Sequence, residues 1–375
     1  MATSLSHVVV VGAGVSGLSI ARELAPVMDV TVIDQGGIAG DTTSRASGVI
    51  SLALEPVDHE VQRFALESFR DLDGTGAFTF SQRRTIRLEP TGDGVEPPPG
   101  GTHMHIERVS EEFPNLFDDL SAYSGAWVYH DTGMLDPVDY AMTLKWLAED
   151  DGARILHDRA MTDILIDGDA VTGIETPHGR IDADVVVIAT GWRARGHLIE
   201  HVELPIRPLR WNAVTFRGQP SLATSLPLGS EPRTRTYWRP LPTGDVLIGG
   251  NEHLIEHPMD APSKVSSAFR NTARSVCETL FAEVDPTTII REDCCPTADS
   301  ATPDGLPIID APTEAPDGLV IATGFHGRGV MLSPITGRLV RDIVTDAASP
   351  FSRTPFAVDR FDDRSQAFSY QSHWS

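Results

Sequence analysis

An α/β fold, with a parallel sheet and a separate run of antiparallel strands, is what this sequence predicts. Three observations carry the prediction. His7–Val11 is a mostly apolar run ending at Gly12-Ala13-Gly14-Val15-Ser16-Gly17, after which Leu18, Ile20, Ala21 and Leu24 recur at helical spacing up to Pro26. Residues 319–322 form another apolar run that leads into a second glycine-rich stretch, Thr323-Gly324-Phe325-His326-Gly327-Arg328-Gly329-Val330-Met331-Leu332-Ser333-Pro334, with a helix expected over about 335–344. Between these ends, residues 205–292 read as antiparallel: strands over 208–217 and 233–240, a Pro242–Gly244 turn, a strand over 245–249, then a helix around 263–281.

The N-terminal block goes further. Residues 30–33 form a second strand ending in Asp34, so the order is strand, glycine turn, helix, strand, acid. Gly12 makes the tight turn, Gly14 lets the backbone approach a pyrophosphate, and Gly17 permits close helix–strand packing. Val15 and Ser16 open the helix, whose N-terminus favours phosphate charge. Asp34 lies twenty residues after Gly14, where a carboxylate bonds ribose hydroxyls. The pattern is Rossmann-like and points to a bound dinucleotide. The loop 36–50, rich in small and hydroxyl residues, suits either NAD or FAD when taken alone.

Residues 90–101 are dense in Pro and Gly and read as a loop. Gly133-Met134-Leu135-Asp136-Pro137 precedes a helical pattern at Val138, Met142, Leu144 and Leu147, with Asp136 as cap and Pro137 in the first turn. Strands are expected near 154–156, 163–166 and 170–176. The apolar strand 185–189 ends at Thr190-Gly191-Trp192, the kind of place where open α/β sheets hold ligands.

Composition sets the outer limits. The 375 residues give room for two or three domains of roughly 100–200 residues each. Asp and Glu total 53 against 30 Lys and Arg, a net charge of −23. That field repels nucleic acid and anionic membrane. Lys145 and Lys264 are the only lysines, and an acidic, lysine-poor surface suits a high-salt interior, so a halophilic background is expected. No apolar run approaches the ~20 residues of a membrane helix, and the first residues lack the features of a signal peptide. Three cysteines, two of them adjacent (Cys294 and Cys295), rule out a disulfide framework. No Cys/His spacing suggests a metal. A cytoplasmic protein is expected.

Together the stretches VVVVGAGVSGLSIARELA, TTSRASGVI, GMLDP, VVVIATGW, LPIRPLRW, YWRPLPTGDVLIGG, TPDGLPIID and IATGFHGRGVMLSPITGRLV, with a closing PFAVDRF, resemble the FAD-dependent D-amino-acid oxidase superfamily. The branch is that of glycine, sarcosine and dimethylglycine oxidases and dehydrogenases. The resemblance covers nearly the whole chain. It implies FAD and a discontinuous FAD-binding domain of GR2 type, with an interposed substrate domain on an antiparallel sheet. The expected division is 1–80, 133–200 and 296–348 for FAD, 81–132 and 201–295 for substrate, and 349–375 as a tail.

The resemblance also assigns residues. Gly12, Gly14 and Gly17 match the diphosphate turn, and Asp34 takes the ribose position. Thr42, Thr43, Ser44, Ala46 and Gly48 match the loop beside diphosphate and flavin. Thr190, Gly191 and Trp192 fall near the adenosine half. Gly324, Gly327, Arg328, Gly329, Val330 and Met331 match the segment around the flavin pyrimidine edge. Tyr237 falls where related enzymes place a substrate-contacting tyrosine, and His326 and Arg328 are further candidates for the chemistry. An NAD enzyme fits less well, because it leaves the second glycine segment unexplained.

The implied reaction oxidises the C–N bond of a small amine or amino acid, by hydride transfer to flavin N5, to an imine that hydrolyses. Oxygen or an electron carrier then takes the electrons. Two departures concern the substrate. Met331 stands where sarcosine-oxidising relatives have lysine, and Asp299 where glycine-oxidising relatives have arginine. Arg210, Arg239 and Arg328 are the candidates to hold a substrate carboxylate instead. Thr297, not Cys295, occupies the place of the cysteine that some relatives link to FAD, so non-covalent FAD is expected. The alternatives are a flavin-dependent 2-hydroxy-acid dehydrogenase and a non-catalytic electron-relay flavoprotein subunit.

Overall fold

A computed structural model describes residues 6–51, 57–92, 100–114, 117–198, 200–254, 264–294 and 299–361. Positions 295 and 297 and the tail beyond 361 lie outside them, as does part of the expected loop 90–101.

The apolar runs form the middle of a six-stranded sheet. Its order is Ile308–Asp310, Leu319–Thr323, Val185–Ile188, His7–Val11, Asp29–Ile33 and Arg154–Leu156. All pairings are parallel except that of the edge strand Ile308–Asp310. Central parallel strands are covered on both faces, which is why they read as unbroken apolar runs and not as alternation. One face carries helices Val15–Leu24, Pro137–Asp150 and Gly329–Val344, packed on Val8, Val10, Val30, Val32 and Val187. The Ser19 hydroxyl donates to the Ser333 carbonyl at 2.7 Å and ties the first of these helices to the last. The other face is closed by a cluster that includes Val9, Val11, Ile174 and Val358.

A nine-stranded sheet holds the second core. Its order is Val284–Cys294, Arg207–Gly218, Val246–Leu254, Thr236–Pro240, Leu228–Glu231, Thr85–Pro90, Tyr123–Tyr129 and Thr102–His105, with Asp299–Ala301 also on Arg207–Gly218. It is antiparallel except where Leu228–Glu231 meets Thr85–Pro90. Period-two alternation sends Trp238 to one face, against Phe281 and the helix Ser267–Leu280. Tyr237 and Arg239 take the opposite face.

Two expectations change. The last helix begins at Gly329, not near 335, with Pro334 inside it. A proline there has no N–H for the Val330 carbonyl, which breaks most helices. The Ser333 hydroxyl donates to that carbonyl at 2.8 Å and fills the gap. On the helix Pro137–Asp150, Val138 and Met142 face solvent; the buried side is Tyr140, Ala141, Leu144 and Ala148. The Asp136 cap is as expected, accepting from the Val138 and Asp139 N–H groups at 2.8 and 3.2 Å. Among the described residues no helix is long and apolar enough to cross a membrane.

The closing turns Thr354–Phe356 and Val358–Arg360 are held by carboxylates. Arg360 donates to both Asp304 oxygens, at 2.7 and 3.1 Å, and to the Leu306 carbonyl at 2.7 Å. Asp310 accepts from the Val358 N–H at 2.8 Å. Burial raises the Asp304 carboxyl, but the Arg360 hydrogen bond and charge outweigh it, so the net direction is down. A carboxyl lowered by folding adds stability above its unfolded value, about 3.9, and loses it as pH falls through the folded value. Protection of the amides of residues 360–361, taken relative to their intrinsic exchange rates, is therefore expected to be greatest at neutral pH and to fall below about pH 4. Unchanged protection at pH 3 would contradict this. The effect is modest, because the Asp304 side chain is 38% exposed.

Candidate active site

One cavity of ≈ 410 Å³ runs between the two sheets. Its walls come from the first glycine turn, the loop 34–49, the 189–193 segment, the second glycine turn and the inner face of the nine-stranded sheet.

At the first turn, Gly12 has φ +110° and so takes a backbone shape that suits glycine. Asp34 braces this turn while facing the cavity: one carboxylate oxygen accepts from the Ala13 N–H and the other from the Gly36 N–H, each at 2.8 Å. A carboxylate offers about four lone-pair sites, so two stay available to sugar hydroxyls. Thr43 accepts from the Val15 N–H at 3.1 Å and joins the loop to the helix start. The Thr190 hydroxyl and the Trp192 indole N–H are buried atoms with no hydrogen-bond partner among the described residues. Buried polar groups without partners are costly, which marks them as sites for the polar atoms of a bound molecule. The helix N-terminus, the Asp34 carboxylate and the unpaired polar atoms of Thr190 and Trp192 fit a dinucleotide cofactor.

The wall is locally basic within an acidic chain. Arg159, Arg193 and Arg328 line it, against Asp34 and Asp41. His197 is on the wall too; burial, and then the Arg193 charge, push its pKa down and favour neutral imidazole. Asp41 accepts from Arg193 at 2.7 Å and from Arg45 at 2.9 Å, and Arg193 stacks over Trp192 at 4.6 Å. This pair joins two loops across the cavity. It is partly exposed, so its worth is about 1 kcal/mol at most, about fivefold in affinity. Arg193→Ala is expected to raise the FAD dissociation constant by about that factor, and less in high salt, as measured by fluorescence titration of the apoprotein.

Eighteen of the residues picked from sequence lie on the wall: Gly12, Gly14, Val15, Ser16, Asp34, Thr42, Thr43, Ala46, Gly48, Thr190, Gly191, Trp192, Tyr237, Gly327, Arg328, Gly329, Val330 and Met331. Four stand behind it. Gly17 packs on the Gly12 carbonyl. The Ser44 hydroxyl donates to the Asp41 carbonyl. The Gly324 N–H donates to the Ser300 hydroxyl at 2.8 Å. His326 is buried with φ +54°, and its N–H donates to the Ser300 carbonyl at 2.8 Å. Of the three candidate carboxylate anchors, only Arg328 lines the cavity, with Nη1 donating to the Gly305 carbonyl. Arg210 is buried behind the wall, its Nη2 on the Lys264 carbonyl at 2.7 Å. Sequence reasoning missed Trp211, Arg159, Arg193 and His197. Only Trp211 carried a signal, as the bulky neighbour of a strand position already singled out.

A family model described as FAD dependent oxidoreductase (DAO) matches residues 7–343. The chain belongs to that family. It is thus an FAD-dependent oxidoreductase of the D-amino-acid oxidase superfamily, as the sequence motifs implied. Among its relatives, the glycine oxidase of Pseudomonas putida is 25% identical over 94% of this chain and 98% of its own length. The fold is shared with the L-proline dehydrogenase of P. horikoshii, with a TM-score of 0.82 at 23% identity, over 96% of this chain and 98% of that one. It is also shared with the glycine oxidase of Geobacillus kaustophilus, with a TM-score of 0.81 at 22% identity, over 96% and 100%. In this oxidoreductase, the dinucleotide features described above are those that suit FAD.

Proposed function

We propose that this oxidoreductase oxidises the C–N bond of a small amine or amino acid. The observation that carries the reading is that one cavity joins the dinucleotide turn to Tyr237 and Trp211 on the antiparallel sheet. FAD supplies the hydride acceptor, at flavin N5. The chain's part is to hold the substrate carbon against that acceptor and keep bulk water away. Gly12, Gly14, Val15, Ser16 and Asp34 bind the adenosine and diphosphate half, with Thr190, Gly191 and Trp192 beside them. Ala46, Gly48 and residues 327–331 border the ring, and Gly17, Ser44 and Gly324 support those walls from behind. Tyr237 faces the substrate. Arg328 and the start of the helix Gly329–Val344 place positive charge where negative charge develops. His326 supports that turn from behind. The substrate carbon loses hydride, its nitrogen loses a proton, and the resulting imine takes up water to give a carbonyl compound and an amine.

The strands of the six-stranded sheet all fall within 1–80, 133–200 and 296–348, which supports assigning those segments to FAD. Those of the nine-stranded sheet, Asp299–Ala301 apart, fall within 81–132 and 201–295, and these we assign to substrate. We propose that FAD is held non-covalently, that oxygen or an electron carrier reoxidises it, and that the protein works in a salt-rich cytoplasm. The last point is supported by the net charge of −23 and by the presence of only two lysines.

The test is anaerobic. The FAD-loaded protein is mixed with sarcosine, dimethylglycine, glycine, proline, D-amino acids and 2-hydroxy acids in turn, and flavin bleaching is followed. Bleaching by an amine supports the proposal. Bleaching by hydroxy acids alone overturns it in favour of an alcohol dehydrogenation. No bleaching by any of them, with normal reduction by dithionite, favours electron relay or a substrate outside this set.

A further inference from the structure

Arg239 is a deeply buried cation that the proposed chemistry leaves without a task. It lies on Thr236–Pro240, two residues past Tyr237 and on the same strand face, and is 6% exposed. Its Nη1 donates to two backbone carbonyls on separate segments, Ser47 and Leu135, the latter at 2.9 Å. Ser47 and its neighbours Ala46, Gly48 and Val49 line the cavity. The Leu135 N–H in turn donates to the Gly48 carbonyl at 2.9 Å. The guanidinium is therefore a strut, reaching from one sheet to the back of a wall that borders the cofactor cavity.

Its charge is poorly compensated. Among the described residues no carboxylate lies within ion-pair distance of it, and its Nε–H is buried without a partner. Burial lowers its pKa to about 10, and the more distant Asp136 opposes that only in part. A guanidinium with that pKa is still charged at neutral pH. A buried charge without a counter-ion is costly unless negative charge appears nearby during function.

We propose that Arg239 is a positioning residue with two effects on bound FAD: it fixes the Ala46–Val49 wall, and its positive charge favours the reduced, negatively charged flavin. This rests on the site reading above in one respect, that the flavin ring borders that wall. Two-electron reduction adds negative charge to the ring, and a cation in a low-dielectric wall attracts it more strongly than water would allow.

The test uses Arg239→Met and Arg239→Lys as purified full-length proteins reloaded with FAD. The midpoint potential is read by reductive dye titration without substrate, and FAD affinity by fluorescence. Arg239→Met is expected to make reduction about tenfold less favourable, about 30 mV for a two-electron couple. It is also expected to weaken FAD binding about tenfold. Arg239→Lys keeps the charge and loses the planar fork. It is expected to retain the potential while binding FAD more weakly. A Met variant with wild-type potential overturns the electrostatic role, and a Lys variant with wild-type affinity overturns the strut. If Arg239→Met does not fold, Arg239→Gln gives the same reading of charge, and a wild-type potential there again overturns it. Because no substrate is present, these outcomes are independent of the amine panel.

Discussion

Gly17→Ala is expected to give a colourless protein. Gly17 lies in the helix Val15–Leu24, where the helix presses on the turn that precedes it. A Cβ there would overlap the Gly12 carbonyl oxygen, come within 3.1 Å of its carbon, and stand 3.4 Å from the Val10 side chain. Two of these three atoms are backbone, and the Val10 strand sits in the middle of the sheet, so the neighbours have little room to yield. Relief must come from the helix, which moves its N-terminus away from the strand. That end carries the N–H groups and the favourable dipole for the FAD phosphates. Overpacking of this kind costs about 1–3 kcal/mol or more in stability. Loss of several phosphate contacts adds to that, so FAD affinity is expected to fall at least about a hundredfold, or about 2.7 kcal/mol. Gel filtration with detection of flavin absorbance reads the result directly. Gly196→Ala is the control, since a Cβ there meets nothing within 4 Å. Normal flavin retention by Gly17→Ala would show that the helix tolerates the shift.

The contrast between Gly17 and Arg239 shows what could be read from sequence. The first turn is local: its strand, glycines, helix and acid lie within residues 7–34, and each spacing has its own physical reason. The apolar middle strands and the Asp136 cap were legible for the same reason. Pro334 misled, because its usual effect on helices was offset by a neighbouring serine hydroxyl that no propensity encodes. Arg239 was visible only as a candidate carboxylate anchor; its partners lie 192 and 104 residues away in sequence. Arg210 failed similarly. A register shift falls between Arg210 and Asn212, and it is Trp211 that reaches the cavity. Alternation predicts faces only while a strand stays regular. The pairing of Asp41 with Arg193 joins two loops 152 residues apart, and only folding brings them together.

Gly249→Ala is expected to separate catalysis from cofactor binding. Gly249 is cross-strand partner to Tyr237 on one side and to Ala213 on the other. A Cβ at Gly249 would overlap the Tyr237 ring and lie 2.6 Å from its Cε1. The ring of Tyr237 thus lies flat across a strand position that has no side chain, with another small residue beyond it. Unlike the backbone facing Gly17, an aromatic ring can turn about its side-chain bonds. The added methyl is therefore expected to tilt Tyr237 and leave the sheet intact. The dinucleotide turn and the Ala46–Val49 wall belong to other elements, so FAD affinity is expected to stay within about twofold of wild type, under about 0.5 kcal/mol. A misplacement of about 1 Å at a reacting centre costs on the order of a hundredfold in rate. Reduction of the flavin by a productive substrate is expected to slow by that factor in stopped-flow measurements. Tyr237→Phe keeps the ring in place and removes only the hydroxyl, so it is expected to cost less. If Gly249→Ala reduces at the wild-type rate, the Tyr237 ring does not set the substrate's position. If Tyr237→Phe costs as much, the hydroxyl matters more than the placement of the ring.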